Sequence, residues 1–180
     1  MPELRATYRL QLQAGFPLSR VRELVPYLSR LGISHLHCSP MLRARRGSTH
    51  GYDVVDPNAL DPELGTEAEL EALHRELSSR GMGIVLDIVP NHMAASEENA
   101  AWVDVLAHGP ASPFARWFDI DWRASERELR GRVLLPILGD MRGHVVARDE
   151  IALDLETGVP RLRYFEHGLP LDPWTMPRIL

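Results

Sequence analysis

The sequence predicts an α/β fold: a parallel sheet or the start of a barrel, followed by a smaller β-rich insertion. Strand and helix patterns alternate as β-α-β-α-β through residue 89, and such crossovers favour parallel strand pairing. Polar residues collect where the third strand ends. Beyond residue 119 the pattern changes to short extended segments separated by glycines and Pro160, which indicates the insertion.

The first β/α unit begins with the alternating segment 7–12, which is typical of a strand. From Leu18 to Leu31 apolar residues recur at helical spacing, and Gly32 follows as a helix C-cap. Pro26 lies inside this pattern and removes one helical hydrogen bond, so we expect a kink there.

The second unit begins with a strand over 33–39, which Pro40 ends. A long loop rich in Arg, Gly, His and Asp is expected to connect it to the next helix. Thr66 and Glu69 then form a capping box, which predicts a helix that stops at Gly81.

The third strand, 84–89, is the stretch around which the chain is organised. Its short β-branched run predicts a strand buried on both faces. Asp87 is a charge inside this run, and such a charge is normally paired. Asn91 and His92 directly follow the strand, at the end where parallel sheets and barrels carry their binding groups.

The remainder of the chain predicts one more helix over 97–108. After it come only extended candidates, separated by turn residues that include Gly158. These candidates are 133–137, 144–147, 151–155 and 162–165.

Composition excludes several classes of function. The apolar fraction of 44% and charged fraction of 25% are typical of a soluble globular protein. A net charge of −5 provides no basic patch, so we expect no nucleic-acid partner. The single cysteine, Cys38, cannot form an intrachain disulfide, which favours a reducing compartment. With no leader pattern and no long apolar run, we expect a cytoplasmic protein without a membrane partner.

Two motifs resemble conserved regions of the α-amylase superfamily, glycoside hydrolase family 13. The segment 87–92, DIVPNH, is similar to its Asp-x-Val-x-Asn-His region, and 47–53, GSTHGYD, with Asp56 is similar to its second-strand loop. Finer features resemble the maltooligosyltrehalose synthases within that superfamily. These are TYRLQ at 7–11, LGISHL at 31–36, SP at 39–40, DPELG at 61–65 and FDIDW at 118–122.

The resemblance implies the first three β/α units of a (β/α)8 TIM barrel, 1–118, followed by a small β-rich inserted domain, 119–180. It implies an isomerase that converts the reducing-end α-1,4 link of a maltooligosaccharide to an α,α-1,1 link, without a cofactor. The family's catalytic carboxylates follow strands four, five and seven, and no segment here matches those motifs. We therefore expect an N-terminal portion that is inactive alone and self-associates or needs the rest of the barrel.

Three residues are candidates for binding the substrate. The resemblance implies that His92 donates a hydrogen bond to the hydroxymethyl oxygen of a sugar and that Tyr52 stacks under the same sugar. His50, two residues before Tyr52, is a third candidate. The alternatives are a core histidine at a strand end for His92, loop packing for Tyr52 and a solvated loop residue for His50.

Further polar residues are expected to support the site. In the family, the carboxylate at Asp87 holds an arginine that follows strand four; no segment here supplies it, so Asp87 is expected to be unpaired. Asp53 and Asp56 are expected to cap loop backbone. Asn91 occupies a position that touches calcium in many amylases, but one Asn is not a site, and we expect no metal.

Other groups keep two interpretations. The arginines are an anion site or, more simply, a solvated loop face: Arg43, Arg45 and Arg46. The tryptophans are sugar platforms or a packed seam: Trp102, Trp117 and Trp122. His35 and His37 receive no role. For the whole protein, the alternatives are an amylase-type hydrolase, a 4-α-glucanotransferase, or a non-catalytic glucan-binding or assembly subunit.

Overall fold

The computed structural model describes residues 2–155 and 160–178. The chain divides into two compact units, the first ending at Ala94 and the second beginning at Ala95. The expected boundary between 1–118 and 119–180 separates a barrel from its insertion, which is a different division from the one between compact units. It stays a prediction. Gly158, expected to separate two extended segments, lies outside the described residues.

The first unit alternates strands and helices. In chain order it contains β1 (Thr7–Leu10), α1 (Leu18–Arg30), β2 (His35–Cys38), β3 (Leu42–Ala44), β4 (Val54–Leu60), α2 (Glu67–Ser79) and β5 (Gly83–Leu86). Strands β1, β2 and β5 form a parallel sheet in the order β1-β2-β5. The predicted β-α-β-α-β pattern is confirmed, and the hairpin β3–β4 lies within it.

Local sequence accounts for both helices of this unit. Helix α2 begins at the predicted capping box: the Thr66 hydroxyl accepts from the Glu69 N–H, and the Glu69 carboxylate accepts from the Thr66 N–H at 2.8 Å. Helix α1 runs through Pro26 and is followed by Gly32, whose φ of +86° is the left-handed conformation that a glycine adopts after a helix.

The two faces of the parallel sheet differ in polarity. Successive residues of a strand point to opposite faces, so Leu10, Leu36 and Cys38 lie on the same face of the sheet. All three belong to the hydrophobic core that also contains buried residues of α1 and α2. Arg9 and His37 point to the other face, where the in-register pairing of β1 with β2 places them side by side. The sheet thus has an apolar face covered by helices and a polar face.

The expectation that the third strand is buried on both faces is wrong. Strand β5 is half-buried, and Leu86 is 58% exposed. The physical reason is that β5 pairs only with β2 among the described residues, so it is an edge strand of this sheet.

The expected long loop between the second strand and α2 is also wrong. It contains the antiparallel hairpin β3–β4, which buries Val54 and Val55. The strand pattern was hidden because β4 contains Pro57 and Asn58, residues typical of turns, and the pairing has register shifts on both sides of Arg43.

The second unit contains α3 (Ala100–His108), α4 (Arg142–Ala147), β6 (Ile151–Asp154), β7 (Arg161–Tyr164) and β8 (His167–Pro170). Strands β6, β7 and β8 form an antiparallel sheet in that order. The Asn99 side chain caps α3 by accepting from the Trp102 N–H at 3.1 Å. None of the helices in 2–155 and 160–178 is long and apolar enough to cross a membrane.

The extended segments predicted for this unit are confirmed in part. Strands β6 and β7 lie where 151–155 and 162–165 predict them. The segment 144–147 is instead part of helix α4, which buries Val145, and 133–137 forms neither helix nor strand. These segments have too few residues for periodicity to separate a strand from a helical turn.

Candidate functional site

Four polar side chains meet on the polar face of the parallel sheet: Arg9, His37, Tyr52 and Asp87, here called the Asp87 cluster. The Tyr52 hydroxyl donates to Asp87 Oδ2 at 2.6 Å. Arg9 Nη1 donates to the same oxygen at 3.2 Å, and Arg9 Nη2 donates to the Tyr52 hydroxyl at 2.9 Å. The phenol oxygen therefore both donates and accepts within one closed triangle.

Strand register explains why these residues meet. Arg9 of β1 pairs with His37 of β2, which pairs with Val85 of β5. Asp87 lies two residues beyond Val85 and so points to the same face. Arg9 Nη1 also lies 3.2 Å from His37 Nε2. Since a guanidinium only donates, this contact makes His37 Nε2 an unprotonated acceptor.

The loop 47–53 brings Tyr52 to the cluster and is held by the preceding strand ends. Gln11 Nε2 donates to the carbonyl oxygens of Thr49 and His50, both at 3.2 Å. Gly51 has a φ of +79°, and a Cβ atom there would lie 2.7 Å from the carbonyl oxygen of Pro40. The loop requires glycine at this position because it combines a left-handed backbone with a close approach to another strand end.

The environment of Asp87 favours its charged form. The hydrogen bond from Tyr52 and then the contact with Arg9 hold the pKa of Asp87 below its ordinary value. The hydrogen bonds that Arg9 makes with Tyr52 and then with Asp87 raise the pKa of Arg9. The expectation that Asp87 is unpaired is therefore wrong: Arg9, from the first strand, supplies the positive charge.

Sequence reasoning missed Arg9, Gln11 and His37 as members of the site. The signal was the alternation within 7–12 and 35–38, which places polar residues of both strands on one face. Reading it required the register between strands that are distant in sequence.

His50, in the loop, and His92, after the end of the third strand, both lie against Tyr52 and are exposed. His92 Nε2 is 3.1 Å from the Tyr52 carbonyl oxygen, which only accepts, so this nitrogen carries the hydrogen. His92 Nδ1 lies 3.1 Å from Asn91 Oδ1. His50 Nδ1 accepts the Tyr52 N–H at 3.0 Å, so in the neutral ring its hydrogen lies on Nε2. Each ring thus has one nitrogen engaged by the Tyr52 backbone.

The remaining candidate carboxylates are engaged within their own loops. Asp53 Oδ1 accepts from the Ser48 hydroxyl at 2.5 Å. Asp56 Oδ1 accepts from the Asn58 N–H at 2.9 Å, a local turn closed by the side chain. No group of three or more His, Cys, Asp or Glu in the described part of the chain is placed to hold a metal ion.

Two of the three candidate tryptophans, Trp102 and Trp117, contact other aromatic side chains in the second unit. The ring centroids of Trp102 and Phe118 are 5.1 Å apart, and those of Phe114 and Trp117 are 5.0 Å apart in an edge-on arrangement. These contacts support a packed seam.

In the first unit, burial raises the pKa of Cys38 to about 11, so its thiol is unreactive at neutral pH.

Comparison with known proteins gives the family. A model of the alpha-amylase catalytic domain matches residues 17–137. The chain belongs to the alpha-amylase family. Its α/β fold, with polar residues at the carboxyl ends of parallel strands, agrees with that membership.

Within the alpha-amylase family, the chain is similar to synthases over nearly its whole length. It is 41% identical to a putative maltooligosyl trehalose synthase of Mycobacterium tuberculosis over 93% of its residues. It is 43% identical to the solved maltooligosyltrehalose synthase from Arthrobacter ramosus, with a TM-score of 0.82 over 94% of its residues. The chain spans about a fifth of each of these proteins, 21%.

Similarity to other alpha-amylase family members covers a shorter part of the chain. Alpha-amylase 2 of Dictyoglomus thermophilum is 37% identical over 51% of this chain, which corresponds to 16% of that enzyme. A match over 93% of the chain has to include much of the second unit, whereas a match over 51% of the chain does not have to include it.

Proposed function

We propose that the protein, in its natural length, is an intramolecular transglucosylase of the maltooligosyltrehalose synthase type. It converts the reducing-end α-1,4 link of a maltooligosaccharide to an α,α-1,1 link. The observation that carries this proposal is the extent of the similarity: it covers nearly the whole chain for the synthases and about half of it for the amylase. The motif FDIDW at 118–122 adds support.

The fold proposal accompanies this function. Residues 1–118 form the first three β/α units of a (β/α)8 barrel, and 119–180 belong to a β-rich insertion after the third barrel strand. The parallel order β1-β2-β5, with helices on the apolar face, supports the barrel assignment. In a barrel, the polar face that carries the Asp87 cluster is the inner face.

The described residues supply one wall of the sugar site. Tyr52 offers an aromatic face to the C–H face of a glucosyl ring, while its hydroxyl is held by the Asp87 cluster. His50 has Nε2–H available as a donor. For His92 to donate from Nε2 to a sugar, it must release the Tyr52 carbonyl or turn its ring.

The supporting residues hold these groups in place. Asp87 holds the Tyr52 hydroxyl, Asp53 holds the loop through Ser48, and Asn91 lies against the His92 ring. A retaining transglycosylase needs a carboxylate nucleophile and an acid/base carboxylate about 5 Å apart, and we assign both to the remainder of the natural protein. The chain by itself is therefore inactive toward glucan and associates with itself or with the missing part of the barrel.

Product analysis tests the proposed function. The protein purified from its native cells is incubated with maltopentaose after its intact mass has been compared with 20.3 kDa. We expect a larger mass and a non-reducing product that retains all five glucosyl units. Glucose and shorter sugars would indicate a hydrolase, and a ladder of longer chains a glucanotransferase. Binding without turnover would indicate a glucan-binding subunit. Each of these three results contradicts the proposal.

A further inference from the structure

The ring of Tyr52 is oriented from its hydroxyl end by two charged groups, Arg9 on β1 and Asp87 directly after β5. Its phenol oxygen donates to Asp87 at 2.6 Å and accepts from Arg9 Nη2 at 2.9 Å. With both a donor and an acceptor direction satisfied, the C–O axis of the ring is fixed. The opposite end of the residue is fixed through its backbone, by His50 and His92.

Arg9 is the group that closes this arrangement. Its planar guanidinium donates to Tyr52 and Asp87 at once through two different nitrogens. A lysine ammonium is a point charge without this forked geometry. Arg9 is also the permanent positive charge of the Asp87 cluster, and its Nη1 lies 3.2 Å from both Asp87 Oδ2 and His37 Nε2.

We propose that Arg9 is a positioning residue for glucan binding, which fixes the Tyr52 ring in the orientation that receives a glucosyl unit. This inference rests on the proposed function and deepens it. Arg9 touches no reacting atom; it acts through the Tyr52 hydroxyl. Because a misplacement of about 1 Å in a supporting group can cost on the order of 100-fold in rate, loss of this contact is measurable in kinetics.

The test compares Arg9→Met, Tyr52→Phe and the double variant in the protein of natural length, with maltopentaose as substrate. Tyr52→Phe keeps the ring and removes the oxygen that Arg9 holds. We expect each single variant to raise KM and to lower kcat/KM by about 10-fold to 100-fold. If Arg9 acts through that oxygen, the double variant is no worse than the worse single variant. Arg9→Lys, which keeps the charge without the fork, restores only part of the loss.

Arg20→Met is the matched control. Arg20 pairs with Glu23 on the exposed face of α1 at 2.8 Å, so its replacement leaves kcat and KM unchanged. A purely structural role for Arg9 would reduce the folded fraction, which lowers the apparent kcat and leaves KM unchanged. That result, an unchanged Arg9→Met enzyme, or additive effects in the double variant would each overturn the positioning role.

The outcome also separates this inference from the proposed function. If the wild-type protein forms no trehalose-ended product but binds or hydrolyses maltopentaose, the synthase proposal fails, and the same variants are compared by dissociation constant or hydrolysis rate. If the wild-type protein neither binds nor converts maltopentaose, both proposals are overturned.

Discussion

Gly51 is the position where a single methyl group should have a large effect on the loop that carries Tyr52. In Gly51→Ala, the residue keeps a φ of +79°, which costs about 1–2 kcal/mol for an L-residue. Its Cβ would also lie 2.7 Å from the Pro40 carbonyl oxygen, so the backbone must shift, at a cost of about 1–3 kcal/mol. Alanine also lowers the conformational entropy of the unfolded chain, which offsets about 0.4–1 kcal/mol of this loss. The expected net loss is therefore about 1–5 kcal/mol in the free energy of unfolding.

Gly47→Ala is the control in the same loop. Its φ of +73° carries the same left-handed cost, but a Cβ there meets no atom within 4 Å. The difference between the two variants isolates the contact with Pro40, and we expect it to be about 1–3 kcal/mol. Urea unfolding of both variants, compared through ΔG and the slope m, measures this difference. If the two variants lose the same free energy, the close approach does not constrain the loop and the reasoning is refuted.

Three further predictions concern the same unit. Thr66→Ala removes the side-chain cap of α2 and should lower the free energy of unfolding in urea by about 1 kcal/mol, while Thr66→Ser should retain most of it. Cys38, with a pKa raised to about 11 by burial, should resist iodoacetamide in the folded protein and react once urea unfolds it; labelling in the native state would contradict its burial. The pKa of Asp87 is lower in the folded protein than its ordinary value of 3.8. The carboxylate therefore stabilises the fold at pH values above 3.8, and this stabilisation is lost as the pH falls through the lower pKa of the folded state. The stability advantage of wild type over Asp87→Asn should thus be constant from pH 7 to about 5 and shrink below about pH 4; an advantage that is unchanged at pH 2 would contradict the ionic role.

Several features of the first unit could be predicted from sequence because their causes are local. The capping box of Thr66 and Glu69 lies within one helical turn, so its residues specify the start of α2 without knowledge of the rest of the chain. The apolar periodicity of α1 and the alternation in β1 have the same local character. The family motifs at 47–53 and 87–92 likewise indicated which segments carry candidate site residues.

The errors concern segments whose structure depends on distant partners. The hairpin β3–β4 forms despite Pro57 because its two strands pair with each other, and the short segment 144–147 becomes helical where Val145 is buried. Neither strand pairing nor burial is visible in a short sequence window.

The sequence alone predicts the series of β/α elements, the family motifs, and the segments that carry Tyr52, Asp87 and His92. It does not predict that Arg9 is the partner of Asp87, a residue 78 positions away, which the folded structure reveals. The physical reason is that an ion pair between strands depends on sheet order and register, which place β1, β2 and β5 side by side with their polar residues on one face.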